Sequence, residues 1–202
     1  MYYVYINLYI FNYRRNKMNN KLTVKDLVLV AAFSVLGILF MYLIPMPFLF
    51  TPYTILISPI VQSLFLAFPF ILTGAKVQKK WAILIYCVIW GLGGFMPYYI
   101  GMMVIAGIIA ELILAKTKNR FKGLTLSFVV TMLAHYIGGT VIPYIITKEQ
   151  QLEMIKKMYG HDYAMKMQEL KTIPMMVIIA VTIVVVSIIG TYISKKFCKK
   201  HF

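Results

Sequence analysis

The sequence predicts an all-α integral membrane protein, a six-transmembrane-helix bundle with both termini cytoplasmic. Three observations carry that expectation. Of 202 residues, 61% are hydrophobic and 13% charged, with a mean hydropathy of +0.79, whereas soluble domains carry about 25% charged residues. The charge is gathered into short blocks separated by apolar runs long enough to cross a bilayer. The blocks are also one-sided in sign, 21 Lys and Arg against 6 Asp and Glu. A nucleic-acid binder spreads its basic charge over a folded surface, so this pattern points to a lipid bilayer and away from a nucleic-acid partner. Cys87 lies in an apolar run and Cys198 in a basic tail, with no Cys-x-x-Cys pair and no histidine at metal-ligand spacing. Disulfides and zinc are excluded as organising principles.

Residues 1–18 read as an N-terminal extension. Tyr2 to Phe11 is apolar and aromatic, yet too short to span and without the basic flank of a signal peptide. Met18 is a more usual start, so the segment is expected to be an upstream extension of the reading frame or, alternatively, an interfacial anchor. The membrane domain is expected over 19–202.

Each crossing needs about 20 mainly apolar residues. From Leu27 to Ala75 no charge occurs, which is too long for one crossing, and Pro45-Met46-Pro47 with Thr51-Pro52 interrupts the run. Proline removes a donor and disfavours helix before it, so two spans are expected, about 27–44 and 53–72. From Trp81 to Ala115 the one charge is Glu111, and Gly91-Leu92-Gly93-Gly94 followed by Met96-Pro97 marks a fold-back. That predicts spans near 81–96 and 98–115. Single crossings are expected at 124–146 and 174–193. Between them, the connection 147–173 has mixed charge. Thr147 and Gln150 have capping-box spacing there, and Leu152, Ile155, Met158 and Tyr159 recur at helical spacing before Gly160. Such an amphipathic piece either lies on the outer membrane face or caps a cavity beneath it.

Basic residues orient the bundle, because cytoplasmic loops keep positive charge near helix ends. Arg14, Arg15, Lys17, Lys21 and Lys25 precede the first span, and Lys76, Lys79 and Lys80 separate the second and third. Lys116, Lys118, Arg120 and Lys122 separate the fourth and fifth, and Lys195, Lys196, Lys199 and Lys200 follow the sixth. The other short connections have no basic residue. The alternation places both termini in the cytoplasm.

Polar groups within spans are costly, so an ionisable residue there is a candidate functional group. His135 is one, either contacting a ligand or relaying a proton, or held neutral by a neighbouring helix. Glu111 is the other, and its place near a helix end beside Lys116 and Lys118 favours an interfacial ion pair. Ala106 and Ala110, Ala134 and Gly138, and Ser187 and Thr191 have the spacing of helix-packing pairs. In the first span Ala31, Ala32, Ser34 and Gly37 form a small-residue stripe suited to a partner helix. Phe48, Phe50, Tyr53, Phe95, Tyr98, Tyr99 and Tyr144, with Thr51 and Trp90, are either an interfacial aromatic belt or the wall of a ligand cavity. Three proline or glycine breaks, Pro45 to Pro52, Gly91 to Pro97 and Gly138 to Pro143, converge on the same outer face. Irregular backbone at membrane depth is tolerated where it is buried or lines a cavity. The expected substrate-binding set is His135, Tyr136, Thr140, Tyr98, Tyr99, Trp90 and Thr51.

No Walker loop, His-Glu-x-x-His, Gly-x-Ser-x-Gly or pair of intramembrane aspartates occurs. With one buried histidine and no carboxylate partner for it, acid-base or metal catalysis has too few participants. The expectation is a binding protein, not an enzyme, with no cofactor.

From Asn19 to Phe202 the chain resembles the substrate-binding S components of energy-coupling factor (ECF) transporters, and within them the Trep_Strep or MptD-type branch. The resemblance rests on Lys21-Leu22-Thr23-Val24-Lys25-Asp26-Leu27, on Ala110-Glu111-Leu112, and most specifically on the tail Lys195-Lys196-Phe197-Cys198-Lys199-Lys200-His201-Phe202. It implies a vitamin-type small molecule captured on the outer side by the last three spans under the outer loops. It also implies docking to a transmembrane T component and two cytoplasmic ATPases. The family's Ala-x-x-x-Ala docking pattern reads Ala31-x-x-x-Val35 and Ala32-x-x-x-Leu36 here, a departure that leaves Ala31, Ala32, Ser34 and Gly37 as the expected docking surface. The alternatives from other classes are a non-transporting membrane scaffold or regulator and a stand-alone secondary carrier. Carriers commonly show internal repeats and midplane ion sites, and no repeat is visible.

Overall fold

The computed structural model describes residues 21–198, and every regular element among them is helical. The expected extension at 1–18 and the last four residues of the basic tail lie outside the described residues. Helix α1 spans Val24–Leu43 and begins with a reciprocal cap: Thr23 accepts from the Asp26 N–H, and the Asp26 carboxylate accepts from the Thr23 N–H at 2.8 Å. The proline-rich break follows as a single 3-10 turn, Met46–Phe48. Helix α2, Pro52–Phe65, starts with proline in its first turn and Thr51 as its cap, and α3, Ala67–Lys76, continues it.

The next apolar run departs from expectation. Helix α4 covers Ala82–Leu92 alone, 11 residues, or about 17 Å of rise against a hydrocarbon core of about 30 Å. Its glycine-rich end stops it: a side chain on Gly94 would stand inside the Tyr99 ring, so the backbone folds back there into α5, Pro97–Lys116. The start of α4 is capped from outside. Trp81 stands there with φ +72° and no side-chain cap, and Glu111 of α5 accepts the Ile83 N–H at 3.0 Å and the Leu84 N–H at 3.4 Å. Glu111 is therefore a helix cap, not the partner of Lys116 and Lys118, because two unsatisfied N–H groups lie nearer.

Helix α6 runs Arg120–Tyr136 and loosens into a π-helical turn, Ile137–Val141, before the short α7, Ile142–Ile146. The connection 147–173 forms α8, Lys148–Tyr159, and α9, His161–Leu170, broken at Gly160 with φ +93°. The expected capping box at Thr147 does not form. Its hydroxyl instead donates to the Pro143 carbonyl at 2.9 Å. The last helix, α10, spans Ile173–Phe197. Among the described residues, five helical segments are long and apolar enough to cross a membrane: Val24–Phe48, Pro52–Lys76, Pro97–Lys116, Arg120–Ile146 and Ile173–Phe197.

The apolar core lies between the helices, with Trp90, Tyr86, Phe70 and Phe128 fully buried. Phe70 meets Tyr86 edge-on at 5.5 Å. The expected small-residue pairs are all buried and serve close packing: a Cβ on Gly190 would approach the Leu64 carbonyl oxygen to 2.9 Å, and Ser127 donates to the Ala110 carbonyl across α5 and α6. Exposed apolar residues line the outside of α10, among them Val177, Val181 and Val185. In water this would be an aggregation surface, and in lipid it is the expected one.

The basic connections gather at one end. Lys79 pairs with Asp26 at 2.8 Å, Arg120 donates to the Gly74 carbonyl at 3.1 Å, and Lys195 lies over the Phe121 ring. Helices α8 and α9 form the opposite end, held by the Tyr163 hydroxyl donating to the Leu49 carbonyl at 3.0 Å.

Candidate functional site

Beneath α8 and α9 lies a cavity of about 520 Å³, within the range that holds drug-sized ligands. Its floor and one wall come from α2, through Ser58, Pro59 and Gln62. The π turn supplies Gly139 and Thr140, next to His135 and Tyr136 at the end of α6. A π turn adds one residue to the helical circuit and shifts the side chains after it, a device frequent at functional sites. Helix α8 roofs the space with Gln150, Gln151, Met154 and Ile155, and Met167 and Lys171 close it at the end of α9. The connection 147–173 thus caps a cavity, the choice that composition left open.

His135 is 8% exposed, and both ring nitrogens are engaged. The Tyr99 hydroxyl lies 2.6 Å from Nδ1, and Gln62 Oε1 lies 3.4 Å from Nε2. Gln62 Nε2 donates to the Met41 carbonyl at 2.7 Å, which orients the amide with its oxygen toward the ring. Nε2 therefore carries the proton and Nδ1 accepts from Tyr99. Trp90 stacks on the imidazole at 5.2 Å and donates to Met41 Sδ at 3.3 Å. The result is a buried polar chain, Tyr99 to His135 to Gln62 to Met41, whose middle two members line the cavity.

The structure brings four of the seven expected binding residues to the cavity: His135, Tyr136, Thr140 and Tyr98. Tyr99 and Trp90 stand behind His135 and hold it, without lining the cavity. Thr51 is elsewhere. Its hydroxyl caps α2 by accepting the Thr54 N–H at 3.1 Å. Of the remaining rim aromatics, Phe50 and Phe95 are more than four-fifths exposed and belong to the belt.

The expected docking stripe divides in the same way. Ser34 and Gly37 face inward, Ser34 bonding back to the Val30 carbonyl and Gly37 packing against the Tyr86 hydroxyl. Ala31 is half-buried and Ala32 exposed. Ser34 and Gly37 are therefore corrected from surface to core. A seven-residue stretch of helix spans almost two turns, and residues 34 and 37 fall on the face opposite 28, 32, 35 and 39.

A family model described as a hypothetical bacterial integral membrane protein (Trep_Strep) matches residues 24–202. The chain belongs to this family. No curated protein and no solved structure matches it.

The Trep_Strep chain also holds cavity residues that its sequence did not single out. Gln62 was legible in principle, as a lone amide inside a long charge-free run. Gln150, Gln151 and Lys171 sit in a polar connection where such residues are ordinary. Partly buried and lining the cavity, the side chains of Thr140, Gln151 and Lys171 have no hydrogen-bond or ion-pair partner among the described residues, and the exposed Gln150 lines it as well. Burial pushes the Lys171 ammonium below the usual lysine range. Five methionines, Met96, Met154, Met167, Met175 and Met176, complete an adaptable apolar wall.

Proposed function

We propose that this chain is the substrate-binding membrane subunit, the S component, of an ECF-type importer. It captures a vitamin-like small molecule on the outer face and docks with a T component and two ATPases for uptake. The observation that carries the reading is the roofed cavity with hydrogen-bonding groups left unspent around its wall. Satisfied polar groups would make a packing core, whereas unspent ones facing an empty volume are what a ligand needs.

In this reading the chain crosses the membrane six times with both termini in the cytoplasm, and α4 is a short crossing whose end is recessed beneath the fold-back at Gly93-Gly94. Clustering of Lys79, Arg120 and Lys195 at the end opposite α8 and α9 supports that orientation. The ligand enters under α8 and α9. The energy comes from the ATPases, since the chain has no nucleotide-binding loop. The docking surface is the exposed face of α1 through Val28, Ala32, Val35 and Leu39, where the small Ala32 admits a partner helix closely.

The test is purification of the C-terminally tagged chain from native membranes in mild detergent, with mass spectrometry of what accompanies it. One polytopic partner and two ATPases are expected. Recovery of the chain alone, from membranes that contain the ATPases, would favour a transiently docked binder or a stand-alone carrier. A different reproducible partner would favour the scaffold. Ala32→Trp is expected to abolish co-purification while leaving the melting temperature unchanged, because its side chain points out of the fold. Retention of the partners in this variant would place docking on another face.

A further inference from the structure

We infer that the ligand of this cavity is an organic acid carrying one anionic group, held at the roof by Lys171 with the amides of Gln150 and Gln151. The inference rests on reading the cavity as a small-molecule site and goes on to assign the chemistry that it selects.

Charge accounting in the outer connection leads to Lys171. Glu153 is taken by Lys156 at 3.4 Å and Glu169 by Lys166 at 2.9 Å, Lys148 lies over the Tyr144 ring, and Glu149, Lys157 and Asp162 are exposed and do not line the cavity. Lys171 is half-buried, lines the cavity, and has no acidic partner among the described residues. Among the described residues no acidic side chain lines the cavity. A partly desolvated ammonium without a counter-charge is unfavourable, and its lowered pKa reflects that cost. The cost is recovered when an anion of the right size enters.

One cation with no opposing acid suits a single negative charge. Beside it, Gln150 and Gln151 offer both donors and acceptors, so they can complete the hydrogen bonds of a carboxylate. The rest of the wall suits an uncharged body. Methionine side chains and the Tyr98 and Tyr136 rings enclose it, and the hydroxyl of Thr140 is free to meet it. A dianion would leave one charge uncompensated in an apolar space, and a cation would be repelled by Lys171. Size sets the last limit, since about 520 Å³ admits a drug-sized molecule but not a polymer.

The experiment identifies the molecule carried by the full chain. Wild type, Lys171→Met and Lys171→Arg are purified from native membranes in mild detergent and quenched in organic solvent, and the released small molecule is weighed before and after acid-catalysed methylation. Melting temperatures are measured in parallel against nicotinate and nicotinamide, and pantothenate and pantothenol, pairs that differ chiefly in the acid group. The expected result is a molecule with one carboxylate, which gains the mass of a single methyl ester. Its occupancy should fall about tenfold or more in Lys171→Met and be largely restored in Lys171→Arg, as for loss and return of a charge-assisted contact. A neutral or cationic molecule, or full occupancy in Lys171→Met, would overturn the inference and leave the cavity reading standing. An empty wild type whose melting temperature responds to no member of either pair would count against both. The wild-type arm depends on no variant, so misfolding of Lys171→Met would not rescue the idea.

Discussion

His135 is spoken for on both sides, by Tyr99 at 2.6 Å and by Gln62 at 3.4 Å. The wall's unmet hydrogen-bonding capacity therefore comes from Thr140 and the roof. Gln62→Leu removes the acceptor of His135 and the donor to the Met41 carbonyl together. It is expected to lower unfolding stability in mild detergent by about 1–3 kcal/mol, the cost of leaving buried polar groups unmet; a change within a few tenths would show that the chain through His135 is not structural. Lys171 should behave in the opposite way. With its pKa below the ordinary 10.5, the unfolded chain binds more protons than the folded one between the lowered value and 10.5, so stability rises with pH across that window. At neutral pH the ammonium therefore costs stability. Empty Lys171→Met is expected to melt no lower than the empty wild type at pH 7 and to lose the wild type's gain in melting temperature toward pH 10.

Helix ends and close contacts decide where the side chains stand. Thr23 and Asp26 start α1 with a reciprocal cap, a signal present in the sequence as Thr-x-x-Asp. Glu111 capping α4 from the neighbouring helix was not readable, because the partners are 28 and 27 residues apart along the chain. The same holds for α10, which approaches α2 so closely that a Cβ on Gly190 would stand 2.9 Å from the Leu64 carbonyl oxygen. Gly190→Ala is expected to cost about 1–3 kcal/mol through overpacking against backbone that cannot yield locally, read as a lower midpoint of thermal unfolding in detergent. A neutral outcome would mean that α10 can slide on α2 without loss.

The whole chain divides into a cationic end and a roofed end, and that polarity makes a topological prediction. With Cys87 and Cys198 replaced, a cysteine at the exposed His161 is expected to react with a membrane-impermeant maleimide in intact cells. One at the exposed Lys118 is expected to react only after permeabilisation. Labelling in the reverse order would invert the orientation and put the cavity on the cytoplasmic side.

Composition, the length of the charge-free runs and the placement of proline and glycine sufficed for the membrane class and the helical architecture. These are local quantities, set by the energetic demand that backbone in lipid be hydrogen-bonded within its own segment. The third run was misjudged in length because the Gly91-Leu92-Gly93-Gly94 break takes effect through the Tyr99 ring, a contact with another helix. Four of the seven expected binding residues reach the cavity, since polar and aromatic groups near helix breaks converge on one end. Trp90 and Tyr99 were legible as important but not as supports of His135. Ser34 and Gly37 looked like a docking surface until packing turned them inward. The roof belongs wholly to tertiary structure. Gln150, Gln151 and Lys171 are ordinary residues in a polar connection, and they become a candidate site because α8 and α9 fold over the open end of the bundle. The unmet charge and hydrogen bonds that mark them exist only once distant segments have been brought together.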